Sequence, residues 1–209
     1  MCVARCLLAA AFAAFTAASL SAGSICPGGT GSTPFTHSPD AAATGCNTVI
    51  TIGVSGSSTI TIPDSSPYDG SEDNLVGVVN NSSLVINSLT LGGGNIFGFD
   101  ADGICTFTFT GSSYCSSSQK GGTDPQDYQG PTSTFTVTNS GSGTVNFSPG
   151  VAAHGGTAYF SLEEAPSTSL TVTGVGGSPG PGSSVPEPST ILLVAGGLGL
   201  AALRRKRVA

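Results

Sequence analysis

Short bursts in which apolar and polar residues alternate run through the middle of the chain. Residues 47–54 read N-T-V-I-T-I-G-V, and residues 58–62 keep the same two-residue rhythm. Alternation at period two marks a strand with one buried face. Further strand candidates are residues 75–79, 84–91, 95–99, 104–110, 134–138, 143–147 and 156–162, with 170–172 as a last short one. The stretch 104–110 (I-C-T-F-T-F-T) is the most regular and places Cys105, Phe107 and Phe109 on one face. Turn formers separate the bursts: Asn80-Asn81-Ser82, Gly92-Gly93-Gly94 and Asp100-Ala101-Asp102-Gly103. Residues 63–73 form a polar, acidic loop, and 111–130 a polar connection unusually long for a compact domain. No solenoid repeat is present. The pattern predicts an all-β domain, an antiparallel β-sandwich of jelly-roll or Ig-like type.

Two apolar stretches do not alternate. Residues 7–20 follow Arg5 and precede Ser21, Ala22 and Gly23. This is the layout of a signal peptide over residues 1–22, cut by signal peptidase near Ala22 or Gly23. Cys2 and Cys6 leave with it, and Ile25 is too bulky to make Cys26 a lipidation site. At the other end residues 190–203 carry no charge and include Ile191, Leu192, Leu193, Val194, Leu198, Leu200 and Leu203. As a helix this segment rises about 21 Å, whereas a comfortable span takes about 20 residues. It is a marginal transmembrane helix that crosses only with local thinning or snorkelling flanks. Arg204, Arg205, Lys206 and Arg207 then act as a stop-transfer signal that keeps the C-terminus in the cytoplasm.

Between the domain and that helix stand Val185-Pro186-Glu187-Pro188-Ser189-Thr190. Proline motif, short apolar segment and basic terminus together resemble the PEP-CTERM sorting signal of Gram-negative bacteria, with Pro186, Glu187 and Pro188 as its eponymous tripeptide. The resemblance implies recognition by an exosortase, a membrane-embedded cysteine protease that releases or transfers the exported part. It also implies an exported protein, anchored in the membrane as a precursor and then placed at the cell surface or outside it. Exosortase, signal peptidase, the membrane and an exopolysaccharide are the expected partners. Residues 95–104 and 155–164 look like segments of a recurrent group of PEP-CTERM ectodomains, which implies kinship and no activity. The resulting organisation is a signal peptide (1–22), an ectodomain (23–173), a Gly/Pro/Ser linker (174–184) and a sorting signal (185–209).

Charge narrows the partners further. The whole chain holds six basic and twelve acidic residues. Outside the terminal segments Lys120 is the only base against eleven acids, a net charge of −10. Such a surface cannot neutralise phosphates, which argues against nucleic acid. With 31 glycines, no tryptophan and one methionine, the chain is poorly suited to helices. Four cysteines survive processing: Cys26, Cys46, Cys105 and Cys115. In an exported chain they imply disulfides, with three pairings open. Proximity favours Cys26–Cys46 and Cys105–Cys115. No Cys-x-x-Cys pair suggests a thiolate metal site.

Candidate chemistry is sparse. Asp100 and Asp102, across one residue and beside Gly103, are the candidate ligands of a calcium ion, with Asp124 or Asp127 needed to complete the site. The competing reading is a solvated turn. No other cofactor is expected. His37 lies in a Pro-rich lead-in and His154 in a Gly-rich turn, neither with an evident nucleophile. Gly176-Gly177-Ser178-Pro179-Gly180 matches G-x-S-x-G without the strand and helix that motif requires. Gly197-x-Gly199-x-x-Ala202 matches a dinucleotide fingerprint inside the apolar tail, where small residues are ordinary. Glu163 and Glu164 are adjacent, so on a strand they face opposite ways and cannot themselves be a glycosidase pair. Tyr128 and Tyr159 could belong to a sugar-binding face, a weak case without tryptophan. The sequence reading is a non-enzymatic structural or matrix protein. A calcium-assisted carbohydrate binder or adhesin comes second and a hydrolase third.

Overall fold

The structure, a computed structural model, describes residues 24–26, 45–105 and 125–180. Eight strands build two sheets: β1 (Thr48–Ile52), β2 (Ser58–Thr61), β3 (Asn74–Asn80), β4 (Leu84–Gly92), β5 (Ser133–Asn139), β6 (Ser142–Val151), β7 (Gly156–Leu162) and β8 (Thr171–Pro179). The first sheet has the order β2-β1-β3-β7 and the second β5-β6-β4-β8. The second is antiparallel throughout. The first is mixed, because β1 and β3 run parallel, Thr48 opposite Val76 and Ile52 opposite Asn80. This departs from the all-antiparallel expectation. β2 turns back on β1 as a hairpin, and the loop of residues 62–73 then returns the chain so that β3 joins the free edge of β1.

The inner faces of both sheets meet in one core. Ile50, Ile52, Val76, Val78, Phe160 and Leu162 come from the first sheet, and Ile86, Leu89, Leu91, Val145 and Phe147 from the second. Ile86 and Leu89 are three residues apart, so an uninterrupted strand would turn them to opposite faces. Both ladders of β4 slip between Ile86 and Ser88, and that β-bulge restores the inward side. A second slip, between Thr90 and Leu91, lets Val172 and Val175 of β8 both pack on the core.

Four segments differ from the period-two reading. Residues 95–99 are a loop rather than a strand: the Gly98 N–H donates to the Asn95 carbonyl at 2.7 Å and the Phe97 N–H to Ser140 at 2.8 Å. Their apolar residues still serve the core, with Ile96 and Phe97 buried. Ile104 and Cys105 lie in a turn, and residues 106–110 fall outside the described ones. The Gly/Pro/Ser linker expected from residue 174 onward is, up to Pro179, the second half of β8, paired with β4 from Gly174 opposite Thr90 to Pro179 opposite Leu84. Composition suggested a tether, but the valines at 172 and 175 hold the strand down. Within the long polar connection, Gln126–Tyr128 form a 3-10 turn.

The first sheet is also covered on its outer face. A disulfide joins Cys26 to Cys46, as proximity suggested. It lies with Val49, Tyr68, Leu75, Ile104 and Cys105 in a second apolar cluster, against which Ile25, Val79 and Tyr159 pack. Gly77 of β3 admits this layer: a Cβ there would stand 2.5 Å from the Cys46 Sγ. Cys105 is disulfide-bonded as well. Its expected partner Cys115, like the signal peptide, the membrane segment and the sorting tail, lies outside the described residues.

Candidate functional site

The β3–β7 ladder ends with Asn74 opposite Leu162. One step further along the same antiparallel register Asp73 and Glu163 face each other, on the outer side of the sheet. The loop before β3 delivers Asp73. Asp69 Oδ1 accepts the backbone N–H groups of Ser71, Glu72 and Asp73 at 2.9, 3.0 and 3.1 Å. The Tyr68 N–H donates to the Asp73 carbonyl at 3.0 Å. Its hydroxyl donates to Asp73 Oδ2 at 2.6 Å. Asp73 is fully buried, and its other oxygen, Oδ1, is one of three buried side-chain atoms without a hydrogen-bond partner among the described residues.

The Asp100–Asp102 turn arrives from the second direction. Ala101 between the two aspartates takes a left-handed φ of 79°, a conformation rare for a residue with a Cβ. Both carboxylates thereby reach the same hydroxyl, that of Tyr128. It lies 2.7 Å from Asp102 Oδ1, 3.2 Å from Asp100 Oδ1 and 2.5 Å from Glu163 Oε2. The Tyr128 ring stacks on Phe99, with centroids 4.3 Å apart. Gly103 permits this approach, since a Cβ there would sit 2.7 Å from the ring. The Cys105 N–H donates to the Asp127 carbonyl at 3.0 Å and ties the 3-10 turn to the Asp100–Asp102 loop.

Two overlapping groups of carboxylates result. Asp73, Asp102 and Glu163 each offer an oxygen within 4.8 Å of the others, and so do Glu72, Asp100 and Glu163. The described residues include no lysine and no arginine to offset them. Two full charges 4.8 Å apart repel by about 3.5 kcal/mol at an effective dielectric of 20. The cluster therefore cannot stay fully ionised without protons or a cation. Burial pushes Asp73 up to about 9, opposed by the Tyr68 hydrogen bond and reinforced by Asp102, Asp69 and Glu163. Burial likewise raises Glu163 to about 7, with the Tyr128 hydroxyl opposing and the charges of Asp100 and Asp102 adding. Asp102 is raised by burial and by its contact with Asp100. Burial raises Tyr128 far above the ordinary phenol value, so it stays a neutral donor.

Of the residues singled out in the sequence, Asp100 and Asp102 do come together. Their companions are Glu163, Asp73 and Glu72 rather than Asp127, whose carboxylate belongs to neither group. Asp124 lies outside the described residues. Glu163 is buried while Glu164 is half-buried, which agrees with opposite faces. Tyr128 is fully buried and thus part of no exposed sugar-binding face. His154 is exposed in the β6–β7 turn with φ 60°, its N–H donating to Ser82 at 3.0 Å. Ser178 of the G-x-S-x-G match sits in β8, where its hydroxyl accepts from Asn87 Nδ2 at 2.9 Å. Asp73 and Tyr68 were not found by sequence reasoning. The one available signal was the acidic loop running straight into an apolar strand.

The tail is identified by comparison. Residues 184–207 match the family model of the PEP-CTERM protein-sorting motif. The chain carries a PEP-CTERM sorting signal. It is accordingly an exported protein sorted by an exosortase, anchored in the membrane before it reaches the surface or the exterior. The match covers the tail and leaves the two-sheet ectodomain unassigned. No curated protein and no solved structure matches this PEP-CTERM chain. Among the described residues no helix is long and apolar enough to cross a membrane.

Proposed function

We propose that the ectodomain is a non-catalytic β-sandwich that serves as a structural component of the cell surface or extracellular matrix. The observation that carries this reading is the way the domain disposes of its paired carboxylates. Glycoside hydrolysis needs two carboxyl groups that reach one sugar from opposite sides. Here Asp73 and Glu163 are buried. The Tyr128 hydroxyl stands between Glu163 and Asp102, within hydrogen-bond distance of both. A buried, tyrosine-bridged cluster of this kind holds loops together. The same cluster favours a second reading, a calcium-assisted carbohydrate-binding module or adhesin, because its donor set is all oxygen.

Cell fractionation tests the reading. The wild-type chain should appear processed in washed surface material. Replacing Pro186, Glu187 and Pro188 with alanine should leave the precursor in the membrane. Normal processing of that variant would remove the role given to the tripeptide. Recovery of wild type only as free protein in the medium would remove the structural role, and turnover of any member of a glycan panel would revive the hydrolase.

A further inference from the structure

We propose that Asp73, Asp102 and Glu163 form a binding site for one hard divalent cation of calcium size at the outer end of the β3–β7 ladder. The juxtaposition is made by register and by two loops: Asp73 and Glu163 extend paired strands, and Asp102 is folded in beside them by the left-handed Ala101. Calcium–oxygen bonds of about 2.3–2.6 Å put two ligands of one ion at most about 5 Å apart. The three carboxylate oxygens all lie within 4.8 Å of one another, inside that limit.

A second observation points to a ligand independently of the clustering. Asp73 is fully buried, its Oδ2 is held by Tyr68, and its Oδ1 has no partner. A buried carboxylate oxygen without a donor is costly, and a cation in the cluster removes that cost. Tyr128 cannot offset the clustered carboxylates on its own. Its hydroxyl has one proton but touches oxygens of Glu163, Asp102 and Asp100, so it satisfies one of the three. Glu72 and Asp100, both exposed, stand with Glu163 as the flank through which an ion enters. No sulfur or imidazole belongs to either group, which selects against softer transition metals. The uneven, carboxylate-only shell suits calcium, which takes irregular coordination, better than magnesium, which holds to a tight octahedron. The site is independent of the sorting motif, so its loss would leave processing unchanged.

Terbium luminescence on the full chain in detergent, stripped with chelator, tests the site. The chain has no tryptophan, so sensitised emission must come through tyrosine, and Tyr128 touches the cluster. Saturable emission displaced by calcium is expected. Asp102→Asn and Glu163→Gln should each weaken calcium binding at least tenfold, and Glu164→Gln should leave it unchanged. If Glu163→Gln fails to fold by circular dichroism, the half-buried Asp102 variant decides alone. Absence of saturable binding, or binding unaffected by Asp102→Asn, would overturn the site. Magnesium displacing terbium as readily as calcium would overturn its calcium-class assignment.

Discussion

The two sheets share one core and treat their other faces in opposite ways. On the first sheet the outer face is roofed by the Cys26–Cys46 disulfide and its apolar cluster. The central strand β3 (N-L-V-G-V-V-N) is consequently buried at nearly every position. On the second sheet the outer face is a field of short polar side chains. The Asn146 Nδ2 donates to the Thr136 hydroxyl at 3.0 Å, and the Thr171 hydroxyl donates to the Gly92 carbonyl at 3.0 Å. Strands buried on both sides read as continuous apolar runs, and half-buried ones alternate. The lesson is that the covered sheet can carry buried acids at its end, because loops and a disulfide already close it off from water. The open sheet has no such shelter.

The largest test of this contrast is Leu75→Ala, on the roofed face of β3. Leu75 is fully buried, and deleting a buried leucine side chain costs about 3 kcal/mol. Denaturant unfolding of the full chain in detergent should show that loss. A change under about 0.5 kcal/mol would mean the roof contributes no packing. Next comes Val175→Asp in β8, expected to destabilise by about 2 kcal/mol because it places a charge against the core. Unchanged stability would return residues 174–179 to the status of a linker.

A smaller effect is expected from pH in the presence of chelator. Asp73 and Glu163 have folded-state values of about 9 and about 7, above ordinary carboxylate values. The fold thus binds protons that the unfolded chain has released. That stabilisation is complete below about pH 4. It is lost as pH rises, through about 7 for Glu163 and about 9 for Asp73. The melting temperature should fall by a few degrees from pH 5 to pH 9 in chelator, and calcium should flatten the slope. A melting temperature that rises over that interval would contradict the burial of these acids. The smallest effect belongs to the open face: Thr136→Ala on β5, exposed to solvent, should change stability by less than about 0.5 kcal/mol.

Most strands were legible because alternation is a local property. β1, β2, β3, β4, β5 and β7 lie within two residues, at each end, of the stretches read as strands. What was not legible depends on pairing at a distance. The parallel partnership of β1 and β3 leaves no local trace, although the unbroken L-V-G-V-V of β3 hints at a strand covered on both sides. Asp100 and Asp102 were visible as a turn with two carboxylates. Asp73 and Glu163 meet only through the β3–β7 register, and Tyr128 reaches Glu163 from a polar loop that resembles a surface connection. The second half of β8 was hidden by composition, because glycine, serine and proline suggest a spacer whether or not a neighbouring strand binds them.

β8 ends at Pro179, and the sorting motif starts at residue 184. The four residues between them extend to at most about 14 Å. The strand that completes the second sheet is therefore the last to emerge during synthesis and export, with the sorting signal close behind it. Leu84 at the start of β4 waits for Pro179 before its side of the sheet is closed. Any enzyme that acts on the sorting motif therefore works within a few residues of chain from the strand that closes the second sheet.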